Sequence, residues 1–249
     1  MKVLDLFSGI GGFSLGLERA GMETIAFCEI EPFCQQVLKQ HWPEVPIFND
    51  IRNLSADELP EKPELICGGY PCQPFSVAGK QRGQEDDRHL WPEMFRLIKE
   101  CRPAWVIAEN VAGHIRLGLD SVLFDLESAG YRSQPFVIPA CGLNAPHKRD
   151  RIWIVANAPG ERVQGYGTGG EQIPHPYEKA SLPGRSRQRS WETQWQAEPG
   201  MGRVVDGISH RVDRVKALGN SVVSQIPEIL GHTILKAESE WSRKKNTKP

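Results

Sequence analysis

The sequence predicts an α/β fold, a largely parallel sheet covered by helices on both faces. Three observations predict it. Strand-like and helical stretches alternate over residues 1–156. The strand-like runs, such as KVLDLF and AWVIAE, are almost continuously apolar, as strands buried on both faces are. Glycines follow the first run directly, where a strand must turn into a helix.

Residues 2–7 (KVLDLF) read as a short buried strand, and residues 12–20 as a helix stopped by Gly21. TIAFCEI (24–30) is the second strand, and Pro32 suits the first turn of a helix over 32–41. A third short strand fits 45–48. ELICGG (64–69) and AWVIAE (104–109) are the fourth and fifth, with a helix over 92–101 between them. A helix at 120–129, stopped by Gly130, leads to the strand QPFVIP (134–139), and RIWIVA (151–156) is a seventh. Residues 157–205 are rich in Gly, Pro, Gln and Arg and read either as a surface lobe or as a disordered insert. Regular structure is expected to resume near Val204, with a helix from about Pro227 to Lys236 and a frayed basic tail, WSRKKNTKP.

Composition narrows the class. A hydrophobic fraction of 39% and a charged fraction of 24% argue against wholesale disorder. No stretch approaches the ~20 apolar residues that span a bilayer, and the first residues lack the pattern of a secretory signal. Cysteines at 28, 34, 67, 72, 101 and 141 include no CxxC pair, which disfavours zinc and fits a reducing compartment. Charge is uneven. Residues 1–140 carry 13 Lys and Arg against 20 Asp and Glu, whereas 141–220 carry 12 against 8 and 221–249 carry 5 against 3. A basic distal part either meets an anion such as nucleic acid or is chance solvated charge.

Parallel sheets bind ligands beyond the carboxyl ends of their strands, so chemistry is sought after each one. The first is followed by Gly9-Ile10-Gly11-Gly12, a turn that lets a ligand approach the backbone or serves as a turn alone. The second ends in Glu29, whose carboxylate can accept both ribose hydroxyls of an adenosine. Ser14 stands where a dinucleotide fingerprint needs glycine, which favours an adenosine without a pyrophosphate. Asp50 and Ile51 offer a carboxylate and an apolar wall to an adenine, or Asp50 is a cap or turn residue.

Gly68-Gly69-Tyr70-Pro71-Cys72-Gln73-Pro74-Phe75-Ser76 puts Cys72 in a loop past the fourth strand, as nucleophile or inert thiol. That loop continues through Lys80, Gln81 and Arg82, as a lid over a phosphate backbone or an ordinary exposed loop. Glu109 ends the fifth strand, where partial desolvation favours its neutral, proton-donating form. Arg149 and Arg151, two apart in an extended segment, are expected to point the same way, towards a carboxylate, a base carbonyl or a phosphate.

DLFSGIGGF, Glu29, GGYPCQPFS, ENV, KRDRIWIVA and Gly219-Asn220-Ser221-Val222, in this order, resemble the DNA (cytosine-5) methyltransferases over residues 1–156 and roughly 203–235. The resemblance implies the S-adenosylmethionine-dependent methyltransferase fold. This is a Rossmann-like doubly wound sheet of seven strands, the last antiparallel, with a small target recognition lobe. It divides the chain into a catalytic domain (1–156), a variable recognition region (157–205), a return to the catalytic domain (206–236) and a basic tail (237–249).

The cofactor implied is S-adenosyl-L-methionine, at Phe7, Gly9, Ile10, Gly11, Gly12, Glu29, Ile30, Asp50, Ile51, Pro71, Asn220, Ser221 and Val222. Cys72 matches the nucleophile, Glu109 the residue that engages N3 of the cytosine, Arg151 a base-binding residue and Arg149 a supporting arginine. Gln73, Ser76, Lys80, Gln81 and Arg82 in the loop, and Arg185, Arg187 and Arg189 in the variable region, are the expected DNA contacts. The implied partner is duplex DNA, with a cognate restriction endonuclease as a further candidate and no membrane. A monomer in the cytoplasm of a bacterial or phage-infected cell is the implied setting. A tRNA substrate and a non-catalytic DNA binder are the alternatives.

Three departures stand out. His147 occupies a position where many members carry Gln, and Ser224 replaces a common Pro. The stretch before Gly219 resembles compact phage and prophage members rather than the family's usual structural motif.

Overall fold

A computed structural model describes residues 1–71, 90–143, 145, 147–158 and 211–246. Its elements run β1 (Lys2–Leu6), α1 (Gly12–Arg19), β2 (Glu23–Cys28), α2 (Pro32–His41), β3 (Ile47–Phe48), β4 (Leu65–Gly68) and α3 (Trp91–Cys101). They continue with β5 (Trp105–Val111), α4 (His114–Leu117), α5 (Leu119–Ser128), β6 (Arg132–Pro139), β7 (Asp150–Asn157), α6 (Arg211–Asn220) and α7 (Gln225–Asn246). The seven strands form one sheet in the order β3-β2-β1-β4-β5-β7-β6. The first five pair in parallel, and β7 slots antiparallel between β5 and β6. This is the doubly wound, seven-stranded sheet with one antiparallel strand that the sequence resemblance implies.

The apolar runs explain the layers. Side chains alternate along a strand, so β1 sends Leu4 and Leu6 to one face and Val3 to the other. The first face packs on α3 and α5 through Met94, Leu97, Ile98, Val122 and Leu126. The second packs on α1 and α7 through Phe13, Leu17, Ile226 and Ile234, with Trp153 of β7 edge-on to Phe13 at 5.4 Å. Strand order reverses at β1 and β4, whose last residues, Leu6 and Gly68, are paired. The chain leaving both strands therefore emerges side by side, at the position where such sheets bind ligands.

Gly16 sets the spacing of α1 and α7. A Cβ there would strike the Ser224 carbonyl oxygen and come within 2.9 Å of Glu228 N. In an open helix Gly→Ala gains roughly 1 kcal/mol, but overpacking against backbone costs about 1–3 kcal/mol. Gly16→Ala is accordingly expected to lower the melting temperature. An unchanged or raised value would mean that α7 does not rest on α1.

Three expectations are corrected. The tail is helical to Asn246, because α7 runs on and Trp105 Nε1 donates to Glu238 Oε1 at 2.8 Å, tying its distal half to β5. Glu109 lies inside β5, opposite Trp153 of β7, since the strand continues to Val111. Arg149 is not extended: its φ of 39° is left-handed, and β7 begins only at Asp150. Residues 204–210 and most of the expected recognition lobe lie outside the described residues.

Candidate active site

The turn after β1 is built from the backbone outward. Phe7, Gly9 and Gly11 all have positive φ (53°, 54° and 83°). Gly11 needs glycine twice over, because a Cβ would also lie 2.5 Å from the Trp42 ring. Ser8 locks the bend, donating from Oγ to Asp5 O at 2.6 Å while its own carbonyl accepts from Gly11 N at 2.8 Å. Below the turn, Asp5 is fully buried and accepts from Ser14 Oγ at 2.7 Å and Ser14 N at 3.2 Å. Burial pushes its carboxyl up to about 7, against the pull of those two bonds.

Glu29 closes the other wall. It is 8% exposed, and its oxygens accept from Gly9 N at 2.7 Å and Glu31 N at 2.8 Å. Each oxygen keeps a further lone pair for a ligand. A Cβ on Gly9 would meet nothing within 4 Å, so the turn faces open space. Ile10 is partly buried, Ile30 is 53% exposed, Pro71 is exposed and Ile51 is buried. Asp50 behaves as a turn residue. It accepts from Arg52 N at 3.0 Å and pairs with the Arg52 guanidinium at 2.7 Å, which holds its carboxyl below the usual carboxylate range.

On the far side of the switch point sits Glu109, also 8% exposed. Arg151 Nε stands 3.0 Å from its Oε1. The place of a Cβ on Gly69 lies 3.0 Å from its Oε2, so the carboxyl rests against the backbone leading to Cys72. Burial pushes Glu109 up to about 7, and the charges of Arg151 and Arg149 restrain that rise. The carboxyl can therefore hold or release a proton near neutral pH.

The approach to Cys72 is fixed from three sides. Tyr70 Oη is hydrogen-bonded to His114 Nε2 at 2.7 Å, the Tyr70 carbonyl accepts from Asn110 Nδ2 at 3.1 Å, and the Tyr70 ring packs on Trp91 at 5.1 Å. Cys72, Gln73, Ser76, Lys80, Gln81, Arg82, Arg185, Arg187 and Arg189 lie outside the described residues. Of the described cysteines, Cys28 and Cys101 are raised by burial to about 12 and about 11, which keeps them as inert thiols.

The C-terminal part returns to this crevice. Asn220 ends α6 exposed, and Ser221 and Val222 follow half-buried. Val222 lies against Gly12, at the start of α1. Arg149 reaches the same segment, with Nη2 donating to Gly219 O at 2.9 Å and Ser221 O at 2.6 Å. Among the described residues, the structure thus gathers Gly9, Gly11, Glu29, Glu109, Arg149, Arg151 and the 220–222 segment around one switch point. Asp5, Arg52 and the Tyr70–His114 pair are additions that the sequence reading missed.

The sequence model of C-5 cytosine-specific DNA methylases matches residues 1–200. Type II methyltransferase M.HhaI of Haemophilus parahaemolyticus is 32% identical over 183 residues, covering 72% of this chain and 54% of that protein. M.PspPI of Psychrobacter sp. (strain TA137) is 37% identical over 185 residues, covering 72% and 44%. M.HgiBI of Herpetosiphon aurantiacus is 34% identical over 159 residues, covering 62% and 36%. The chain thus spans about a third to a half of the length of these curated relatives. Among solved structures, a putative DNA modification methyltransferase encoded within an E. coli prophage superposes with a TM-score of 0.55 at 29% identity, covering 64% of this chain and 47% of that one. A Spodoptera frugiperda DNMT2 mutant shares the fold, with a TM-score of 0.54 at 24% identity, covering 63% and 50%.

Proposed function

The chain belongs to the C-5 cytosine-specific DNA methylase family, and on that premise we propose that it methylates C5 of cytosine in duplex DNA, using S-adenosyl-L-methionine. One observation carries the reading. A buried carboxyl paired with an arginine, Glu109 with Arg151, opens beside the backbone to Cys72 and across the switch point from the Gly9–Glu29 cradle.

The cradle suits the cofactor. Glu29 retains acceptor capacity for two ribose hydroxyls, and the turn at Gly9 faces open space. Phe7, Ile10, Gly11, Gly12, Ile30, Ile51, Pro71, Asn220, Ser221 and Val222 would complete its surroundings. For Asp50 to receive an adenine amino group, that group must share the carboxylate with the Arg52 guanidinium. The bound cofactor supplies an electrophilic methyl group on a sulfonium.

The residues of the chain do the rest. Cytosine C5 is a weak nucleophile, so the Cys72 thiolate adds to C6 while the Glu109 carboxyl passes its proton to N3. That makes C5 enamine-like, a nucleophile that would accept the methyl group as the sulfonium's S–CH3 bond breaks and its sulfur leaves as a neutral thioether. C5 then loses its proton to a base, N3 returns a proton to Glu109, and the C6–S bond breaks to release the thiolate. Arg151 holds the Glu109 carboxyl and binds the base edge. The target must be flipped out of the duplex first, at a cost of a few kcal/mol. Gln73, Ser76, Lys80, Gln81 and Arg82 in the loop, and Arg185, Arg187 and Arg189 in the variable region, are assigned to the DNA. A monomer acting in the cytoplasm is the biological setting we assign, with a cognate restriction endonuclease as a candidate counterpart. Among the described residues no helix is long and apolar enough to cross a membrane.

Incubation with tritium-labelled S-adenosylmethionine and mixed duplex DNA, followed by bisulfite mapping, tests the proposal. Label at cytosines of one sequence context is the expected result. Label on tRNA and not on DNA would replace the substrate, and label on neither would leave a non-catalytic binder.

A further inference from the structure

We infer that Arg149 is a positioning residue: it staples the C-terminal return segment to the strand that carries the base-binding arginine, so that cofactor pocket and base site are held as one unit. The inference rests on the reading above that residues 220–222 line the cofactor.

The geometry starts at the end of α6. The last carbonyls of a helix have no partner within it, and the helix dipole favours a cation there. Arg149 Nη2 meets both needs, donating to Gly219 O at 2.9 Å and to Ser221 O at 2.6 Å. These carbonyls are 70 and 72 residues away in the chain. The segment is gripped from its other side as well. A Cβ on Gly12 would lie 2.8 Å from Val222 Cγ2 and 3.1 Å from Ser221 Oγ, so α1 touches it with no room to spare. Since α1 directly follows the Gly9–Gly11 turn, the segment bridges the cofactor turn and the start of β7.

The backbone of Arg149 points the same way. A φ of 39° is costly for a residue with a side chain and persists only where the surroundings impose it. Ala140 N, donating to Lys148 O at 2.8 Å, pins the adjoining peptide, and the two carbonyls hold the far end of the side chain. Arg151, by contrast, meets Glu109 directly. The two arginines therefore divide the work: Arg151 serves the carboxyl and the base, and Arg149 serves the segment behind them.

Binding of S-adenosyl-L-homocysteine without DNA, followed by isothermal titration, is the test. Arg149→Met keeps the length of the side chain and removes its donors. It is expected to weaken binding at least tenfold, since two charge-assisted bonds are lost. Arg149→Lys keeps the charge, but its amine stops short of the outer guanidinium nitrogen, and about a threefold loss is expected. Combined with Gly12→Ala, the Met variant should lose less than the product of the single losses, because both changes free one segment. Affinity within twofold of the native protein in Arg149→Met, with methylation impaired, would overturn the inference and put Arg149 at the base instead. Should that variant not unfold cooperatively, the Lys variant decides, and native affinity in it is equally fatal. Native protein that fails to bind S-adenosyl-L-homocysteine sinks the cofactor reading itself.

Discussion

Replacing Cys72 with alanine is expected to remove methyl transfer altogether while leaving cofactor affinity intact. Loss of the nucleophile in a covalent mechanism costs on the order of 10⁶ in kcat. No described neighbour can take over. Cys67 is fully buried in β4, and its thiol is pushed well up by burial and by the Asp5 carboxyl beside it. Cys28 and Cys101 are likewise held as thiols by burial, and Cys34 is buried in α2. Cys141 is exposed, but it lies beyond β6, outside the switch point. The measurement is single-turnover transfer of label to duplex DNA beside an S-adenosyl-L-homocysteine titration. Residual transfer within a hundredfold of the native rate would mean that C5 is activated without attack by this thiol. Parallel loss of transfer and affinity would mean that the loop is a cofactor element rather than a catalytic one.

Much of this architecture is legible in the sequence, and the limits are physical. β1, β4 and β5 are readable because KVLDLF, ELICGG and AWVIAE are buried on both faces and so leave apolar runs. Glu29 and Glu109 stand out because a carboxylate beside such a run must have a reason to be there. Asp5 breaks the same rule inside its run, yet its partner, Ser14, belongs to the next helix. Only the folded turn shows that the buried carboxyl holds the start of α1. Tyr70 and His114 are 44 residues apart, and Arg149 meets carbonyls 70 residues on. No local pattern encodes such pairs. Asp50 shows the opposite failure: its partner, Arg52, is two residues away, but spacing alone does not tell a turn carboxylate from a ligand carboxylate. α6 is silent for another reason, since RVDRVKALGN carries too few apolar residues to mark a face and is positioned by what its end touches.

Glu109→Gln separates the proton-donating role of this carboxyl from its place in the architecture. Glutamine fills the same volume and can donate a hydrogen bond to N3, but it cannot deliver a proton. Positioned acid catalysis is worth about 10²–10⁴-fold, so kcat is expected to fall by about that factor. The proposed mechanism needs the proton on Glu109 at the start of the reaction. Burial holds it there to about pH 7, so activity should decline on the alkaline side from about that pH, and the glutamine variant should lack this limb.

The same proton is visible in stability. In the unfolded chain the carboxyl ionises near 4.5, whereas in the fold it keeps its proton to about 7. Between these values the native state binds more protons than the unfolded one, so this residue's contribution falls as pH rises and levels off above about 7. The drop is of the order of 3 kcal/mol. Asp5 titrates over a similar window by the same mechanism, so the native curve alone would mix the two. The difference between Glu109→Gln and native unfolding free energies cancels Asp5 and isolates Glu109. It should move in favour of glutamine by about that amount between pH 4.5 and pH 8. A difference that stays flat would mean that Glu109 ionises in the fold as it does in water. It would then carry no proton at neutral pH, and the N3 step would need another donor.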